Sequence, residues 1–301
     1  MHKMYRRFKG LLRRISMAQF TNQASISYNG VTANSNIVTG EITQVLTASK
    51  TSVSGSYRRG EVLTYAVSIT NTGAAPLDGL TVTDNLGAYA VGGTTATPLT
   101  FTGGSVLYYV NGALQASPTV TAGPPLSISG ISVPAGGNAL LVYRATVNDY
   151  AAPGAGGSIV NTVTVNGGGL TEAVTATDTV EADTTALLSI TKALNPTVVA
   201  ENGQIVYTFT IQNSGAEAAD AAAGLIVSDT FNPVLRAPIT VTLNGESLGD
   251  AGNYSYNAAS GAFATTAGRV TVPAAAYAQD AATGLWTVTP GVAVLTVTGN
   301  I

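Results

Sequence analysis

The sequence predicts an all-β protein, two tandem β-sandwich domains preceded by an N-terminal strand segment. Three observations carry this reading. Val, Thr, Ala and Gly dominate a chain of 301 residues in which only 10% are charged, with 34 Gly and 12 Pro; such a composition suits many short strands joined by tight turns. Apolar residues alternate with polar ones, as in Leu63, Tyr65, Val67, Ile69 and in Ile205, Tyr207, Phe209, Ile211, the period of a strand with one buried face. The chain also repeats itself once, which sets the number of units at two.

The first element in order is a basic leader, residues 1–16. It holds Lys3, Arg6, Arg7, Lys9, Arg13 and Arg14 and no acid, so the remaining seven of the 13 basic residues face all 16 acidic ones. Its positive charge runs through to Arg14 with no apolar stretch behind it, which is not the layout of a secretory signal peptide. Two readings stay open: a targeting or membrane-surface segment helped by Leu11, Leu12 and Ile15, or translation that starts at Met17. The acidic body of the chain argues against a nucleic-acid partner, and no segment predicts a membrane span.

Residues 17–45 are expected to form an N-terminal strand segment and linker. Repeat one follows over 46–169, a linker over 170–187, and repeat two over 188–301. LTASKTSVSGSYRRGEVLTYAVSITNTG (46–73) aligns without a gap to LSITKALNPTVVAENGQIVYTFTIQNSG (188–215), so that Lys50 falls on Lys192, Tyr65 on Tyr207 and Asn71 on Asn213. GLTVTDNLG (79–87) matches GLIVSDTFN (224–232), Val133-Pro134 matches Val272-Pro273, and ALLVYRATV (139–147) matches AVLTVTGNI (293–301). The pairs Asn111-Gly112, Asn202-Gly203 and Asn244-Gly245 predict tight turns with positive φ. Residues 216–224, Ala-rich but with no apolar stripe, read as an enlarged loop. About seven to nine short, unevenly spaced strands per unit favour an immunoglobulin-like sandwich over an up-and-down barrel.

The combination of a Lys-bearing first strand, TYAVSITNTG, LTVTDNL, a V-P-A-G turn and IVNTVTV resembles a bacterial surface repeat family of unknown function with an immunoglobulin-like or adhesin-like sandwich. The resemblance covers nearly the whole chain from Phe20 onward. It implies a stalk, adhesin or fibre module on a bacterial cell surface or spore surface, and no catalytic activity.

The two repeats are not equally complete. After 139–147, repeat one continues into GSIVNTVTVNGGG (157–169), its last strand, whereas repeat two stops at the equivalent of Val147. FTNQASISYNG (20–30), at the other end of the chain, resembles IVNTVTVNGGG (159–169), with Asn22 on Asn161 and Ile26 on Val165. A sandwich short of one strand exposes core and unpaired backbone groups that a complementary strand relieves. Phe20, Asn22, Ala24, Ile26 and Tyr28 are therefore the expected donor strand for domain two of another copy, giving head-to-tail polymerisation. Two other readings stay open: the strand folds back onto its own domain two, or the 301 residues are a fragment.

Six polar residues fall on core-facing parity: Lys50, Asp84 and Asn161 in repeat one, Lys192 and Asp229 in repeat two, and Asn22 in the N-terminal strand. Buried charges must be paired or chemically used. One use is an amide bond between Lys and Asn promoted by the Asp, with Lys50, Asp84 and Asn161 locking domain one and Lys192 and Asp229 awaiting Asn22 from a neighbour. The alternative is that the lysines snorkel, the aspartates cap turns and the asparagines start strands.

Catalysis by a serine or cysteine nucleophile with a histidine base is excluded by inventory, the strongest argument against an enzyme. Cysteine is absent and the one histidine, His2, lies in the leader, so neither a thiolate site nor a Ser-His pair exists. No catalytic residue, cofactor or metal is expected. Asp178, Glu181 and Asp183 read as a solvated acidic linker, with weak Ca²⁺ binding the alternative. Trp286, Tyr254, Tyr256 and Tyr277 read as core or edge packing, with a glycan patch the alternative. The functional expectation is a structural subunit of an extracellular or spore-surface fibre, a homopolymer with other fibre or spore-coat proteins as further partners. The competing expectation is an adhesin or a glycan- or protein-binding module acting through its loops.

Overall fold

The computed structural model describes residues 17–249 and 252–301; the basic leader lies outside them. The chain enters as an extended β-hairpin. β1 (Met17–Asn22) pairs antiparallel with β4 (Val38–Thr43), and β2 (Ser25–Tyr28) with β3 (Val31–Asn34). Its tip is Asn29-Gly30, both at positive φ, the two-residue turn that matches strand twist. The register slips by one residue between the two ladders, a bulge bridged by the bond from the Ser35 N–H to the Ala24 carbonyl. The expected single donor strand with a linker behind it is therefore two paired strands.

Domain one holds β5 (Leu46–Ser52), β6 (Ser56–Tyr57), β7 (Val62–Asn71), β8 (Leu77–Asp84), β9 (Tyr89–Val91), β10 (Thr94–Ala96), β11 (Leu99–Phe101), β12 (Leu107–Val110), β13 (Ala113–Leu114), β14 (Thr119–Thr121), β15 (Leu126–Val133), β16 (Asn138–Val147), β17 (Ser158–Gly167) and β18 (Val174–Ala182). One sheet runs β13-β12-β16-β7-β5 and the other β14-β15-β8-β17-β18-β6. The chain crosses between the sheets from β7 to β8, from β15 to β16 and from β16 to β17, and the alternate inward residues of both form one core around Tyr65, Tyr143, Leu80 and Ile131. Residues 170–187, expected as a linker, instead carry β18, paired to β17 along its full length from Val165↔Val174 to Ser158↔Glu181. Val174, Ala176 and Val180 point into the core, so Asp178 and Glu181 belong to a strand and only Asp183 lies beyond it.

Domain two holds β19 (Leu188–Asn195), β20 (Gln204–Asn213), β21 (Ser228–Thr230), β22 (Arg236–Leu243), β23 (Glu246–Ser247), β24 (Tyr254–Tyr256), β25 (Ala262–Thr265), β26 (Ala276–Gln279), β27 (Trp286–Thr289) and β28 (Gly291–Asn300). Its first sheet, β19-β20-β28-β22-β23, repeats that of domain one, down to the pairing Leu188↔Asn213 that mirrors Leu46↔Asn71. The Asn111-Gly112 and Asn244-Gly245 turns close the β12–β13 and β22–β23 hairpins with both residues at positive φ. Within residues 216–224, Ala221–Ala223 form a single 3₁₀ turn capped by the Asp220 carboxylate and ended by Gly224 at φ 66°.

The second sheet of domain two is only β21-β25-β24. β21 takes the place of the end of β8, and among the described residues nothing takes the places of β17 and β18. The part of domain one without a counterpart here is thus two adjacent antiparallel strands, where the repeat alignment pointed to one. The β26–β27 hairpin reaches back to domain one instead, where the Trp286 N–H donates to the Asp149 carbonyl at 2.9 Å and Arg59 donates to the Trp286 carbonyl at 2.7 Å.

Candidate functional site

Two sites follow from this architecture, a buried polar cluster in domain one and the open face of domain two. The cluster forms where β5, β8 and β17 meet across the sandwich. Lys50 sits on the inward parity of β5, Asp84 ends β8, and Asn161 lies on β17; all three are buried. The Lys50 Nζ lies 2.7 Å from Asp84 Oδ2 and 4.7 Å from the centroid of the Tyr65 ring. The Tyr143 hydroxyl donates to the same carboxylate oxygen, and the Leu86 N–H donates to Oδ1 at 2.7 Å. The Asn161 Oδ1 accepts from the Gly87 N–H at 3.2 Å, while its Nδ2 is buried with no hydrogen-bond partner.

Burial dominates the electrostatics here. It draws the Lys50 ammonium down from 10.5 to about 8 against the opposing pull of Asp84, and it raises the Asp84 carboxyl above its ordinary value although Lys50, the Leu86 N–H and Asn161 all favour the anion. Both shifts run toward an uncharged amine beside a protonated acid. In that state the Lys50 nitrogen carries a free electron pair, the Asp84 proton is available to a carboxamide, and the Gly87 N–H polarises the Asn161 carbonyl. An amide between Lys50 and Asn161 would form one C–N bond and break the Cγ–Nδ2 bond, releasing ammonia with no redox change.

Several members of this cluster carry no motif in the sequence. Asp178, read as a linker acid, stands opposite Asn161 in the β17–β18 ladder and acts electrostatically on Lys50; its alternation with Ala176 and Val180 was the available clue. Tyr143 and the Gly87 N–H were reachable only through the fold. Asn71, matched to Asn213 by alignment, proves to be a buried plug: its Nδ2 donates to the carbonyls of Ala75, Val133 and Pro134, and its Oδ1 accepts from the Gly73 N–H at 2.9 Å. Asn213 repeats this with Glu217, Pro273 and Gly215.

In domain two the Lys192 ammonium pairs with Asp229 and sits 4.4 Å from the centroid of the Tyr207 ring, the counterpart of Lys50 over Tyr65. The equivalence ends at the surface. The Lys192 side chain is 40% exposed where that of Lys50 is fully enclosed, and Leu188 is 38% exposed where Leu46 is 1%. Ile190 and Leu194 stand open beside them. Asn22 is on the N-terminal hairpin and does not join Lys192 and Asp229 within one chain.

The expected donor residues lie on one face of that hairpin. Phe20, Asn22, Ile26 and Tyr28 face across to Gly40, Val38, Ala33 and Val31, and the Phe20 ring covers Gly40, where a side chain would collide with it. The other face carries Gln19, Thr21, Ser25, Ser27, Thr32, Asn34, Thr39 and Glu41. Ala24 lies at the bulge between the two ladders. The apolar face is exposed, Tyr28 to 77%.

The remaining sequence candidates settle elsewhere. Tyr254 and Tyr256 pack on Phe263 and Phe231 in the core of domain two, and Tyr277 and Trp286 stand on the hairpin that meets domain one. Asp183 pairs with Arg58 at 2.9 Å. Among the described residues no three His, Cys, Asp or Glu side chains gather as a metal site, and no helix is long and apolar enough to cross a membrane.

No family model matches the chain, and no curated protein matches it. Solved structures similar to it include a variant of BcpA, the major pilin subunit of Bacillus cereus, at TM-score 0.38 and 12% identity over 65% of this chain and 66% of that one. The pilus backbone protein RrgB of Streptococcus pneumoniae aligns at TM-score 0.33 and 14% identity over 81% and 55%. The major pilin SpaD of Corynebacterium diphtheriae aligns at TM-score 0.34 and 14% identity over 74% and 50%. The chain thus spans from half to about two thirds of the length of these pilins.

Proposed function

We propose that this chain is a structural subunit of a bacterial extracellular or spore-surface fibre, assembled head to tail when the N-terminal segment of one subunit completes domain two of the next. The observation that carries the proposal is the contrast between the two repeats. The same β5-type strand is sealed in domain one and open in domain two, while a matching segment with an exposed apolar face stands unused at the other end of the molecule. A contact between two different surfaces of one chain repeats without limit unless its rotation closes a ring. The Lys50, Asp84 and Asn161 cluster suits such a role as an internal covalent lock, since an amide across the sandwich ties β5 to β17 and resists unfolding under load.

Electron microscopy of the purified chain over a range of concentrations tests the assembly. Filaments are expected from the intact chain and none from a variant lacking residues 1–43. Undiminished filaments from that variant, or an intact chain that stays monomeric at every concentration, contradict the proposal.

A further inference from the structure

The missing part of domain two has the shape of a hairpin, and the chain contains the hairpin twice. Resting on the fibre reading above, we infer that the donated unit is the whole two-stranded hairpin β1–β4, which docks on domain two of a second copy as β17–β18 docks on domain one, and that its register can be read from the repeat.

Three observations fix the correspondence. First, the ladders agree: Asn161 faces Asp178 and Val165 faces Val174 in domain one, and their counterparts Asn22 and Ile26 face Val38 and Ala33 in the hairpin. The single extra residue in the second arm is the bulge. Secondly, both hairpins alternate in the same sense. Ile159, Asn161, Val163 and Val165 point inward from β17 with threonines outward, and Phe20, Asn22 and Ile26 share the apolar face with Thr21 and Ser25 opposite. Thirdly, the exits match. The Thr72 N–H donates to the Val45 carbonyl at 2.9 Å where the chain passes from the N-terminal hairpin into domain one. The Ser214 N–H donates to the Leu187 carbonyl at 2.9 Å where it passes from β18 into domain two. Each sandwich therefore begins with a hairpin held in the same way, and in the β17–β18 case that hairpin closes the preceding sandwich.

Transferring the register of domain one places the first arm on β21. Thr164↔Thr83 and Val165↔Val82 become Ser25 beside Ser228 and Ile26 beside Val227. The second arm lands where β18 runs parallel to β6, with Glu181↔Ser56 becoming Glu41 beside Val198. This accounts for Val198, which is 88% exposed in the free chain, and brings Ile42 against Val199. Asn22 arrives at the position of Asn161, next to Lys192 and Asp229. A lone strand would cover β21 and leave Val198 and the flank of β19 bare.

The absence of cysteine makes site-directed cross-linking clean. In filaments of the Ser25→Cys, Ser228→Cys variant and of the Glu41→Cys, Val198→Cys variant, a short bifunctional thiol reagent is expected to give a ladder of covalent multimers. A register-shifted Ser27→Cys, Ser228→Cys control is expected to give at least tenfold less. If filaments form and only the 25/228 pair links, one strand is donated and the hairpin inference is overturned while the fibre reading stands. If filaments form and neither pair links, donation in this register is overturned. If cysteine-free chain forms no filaments, the fibre reading itself has failed.

Discussion

Lys50 and Asp84 meet in a space that neither enters cheaply as an ion. Their chemistry gives a mass that can be weighed: the folded chain is expected to be lighter than its sequence by one ammonia, and Lys50→Met or Asn161→Ala to restore the full mass. An unchanged parent mass would leave the pair as a buried ion pair only. Burial draws Lys50 from 10.5 down to about 8 in the fold, and Asn161→Ala, where no amide can form, leaves that amine free to titrate. The unfolded chain then binds more protons between those values, so stability rises with pH from 8 toward 10, by up to about 3 kcal/mol. Denaturant unfolding should show this rise, and a Lys50→Met, Asn161→Ala double variant should lack it. Asn71 has a different task. Its carboxamide bonds three carbonyls and the Gly73 N–H in the corner between β7 and β15, so Asn71→Ala is expected to cost about 3 kcal/mol in domain one, read as a lower midpoint in urea.

At the scale of elements, β18 and the N-terminal hairpin make opposite predictions. Val180 is buried on β18, and Val180→Asp is expected to destabilise domain one by about 3 kcal/mol or more in thermal unfolding; a solvated linker would tolerate it. Phe20→Ala and Ile26→Ala should leave the unfolding of the monomer nearly unchanged, since both side chains face solvent there. Each should raise the concentration needed for assembly about tenfold, as expected when a large apolar side chain loses its burial at a joint. The two elements also mark where the sequence could and could not be read. Alternation and the ungapped repeat made the matching first sheets of the two domains legible. β18 escaped because its inward set, Val174, Ala176, Asp178 and Val180, is diluted by threonines and by acids that read as a loop. The second arm of the donor escaped because Asn29-Gly30, as strong a turn signal as Asn111-Gly112, ends the stretch that matches 159–169, and residues 31–43 have no such match. Which strands pair across the sandwich is set by long-range packing, so Tyr143 and Gly87 could not be placed beside Asp84 from spacing alone.

The whole molecule carries a second sheet of six strands in domain one and one of three strands in domain two, with a hairpin at the front. In the proposed assembly each domain is completed by the hairpin that opens the next, within the chain from domain one to domain two and between chains thereafter. Hydrogen exchange in dilute and assembled samples tests this most directly. On assembly, slowed exchange is predicted in residues 17–43, 188–195 and 225–230 together, with the β7, β16 and β17 amides of domain one unchanged. Assembly that leaves those three segments as fast as in the monomer, or that slows a different surface, would contradict it.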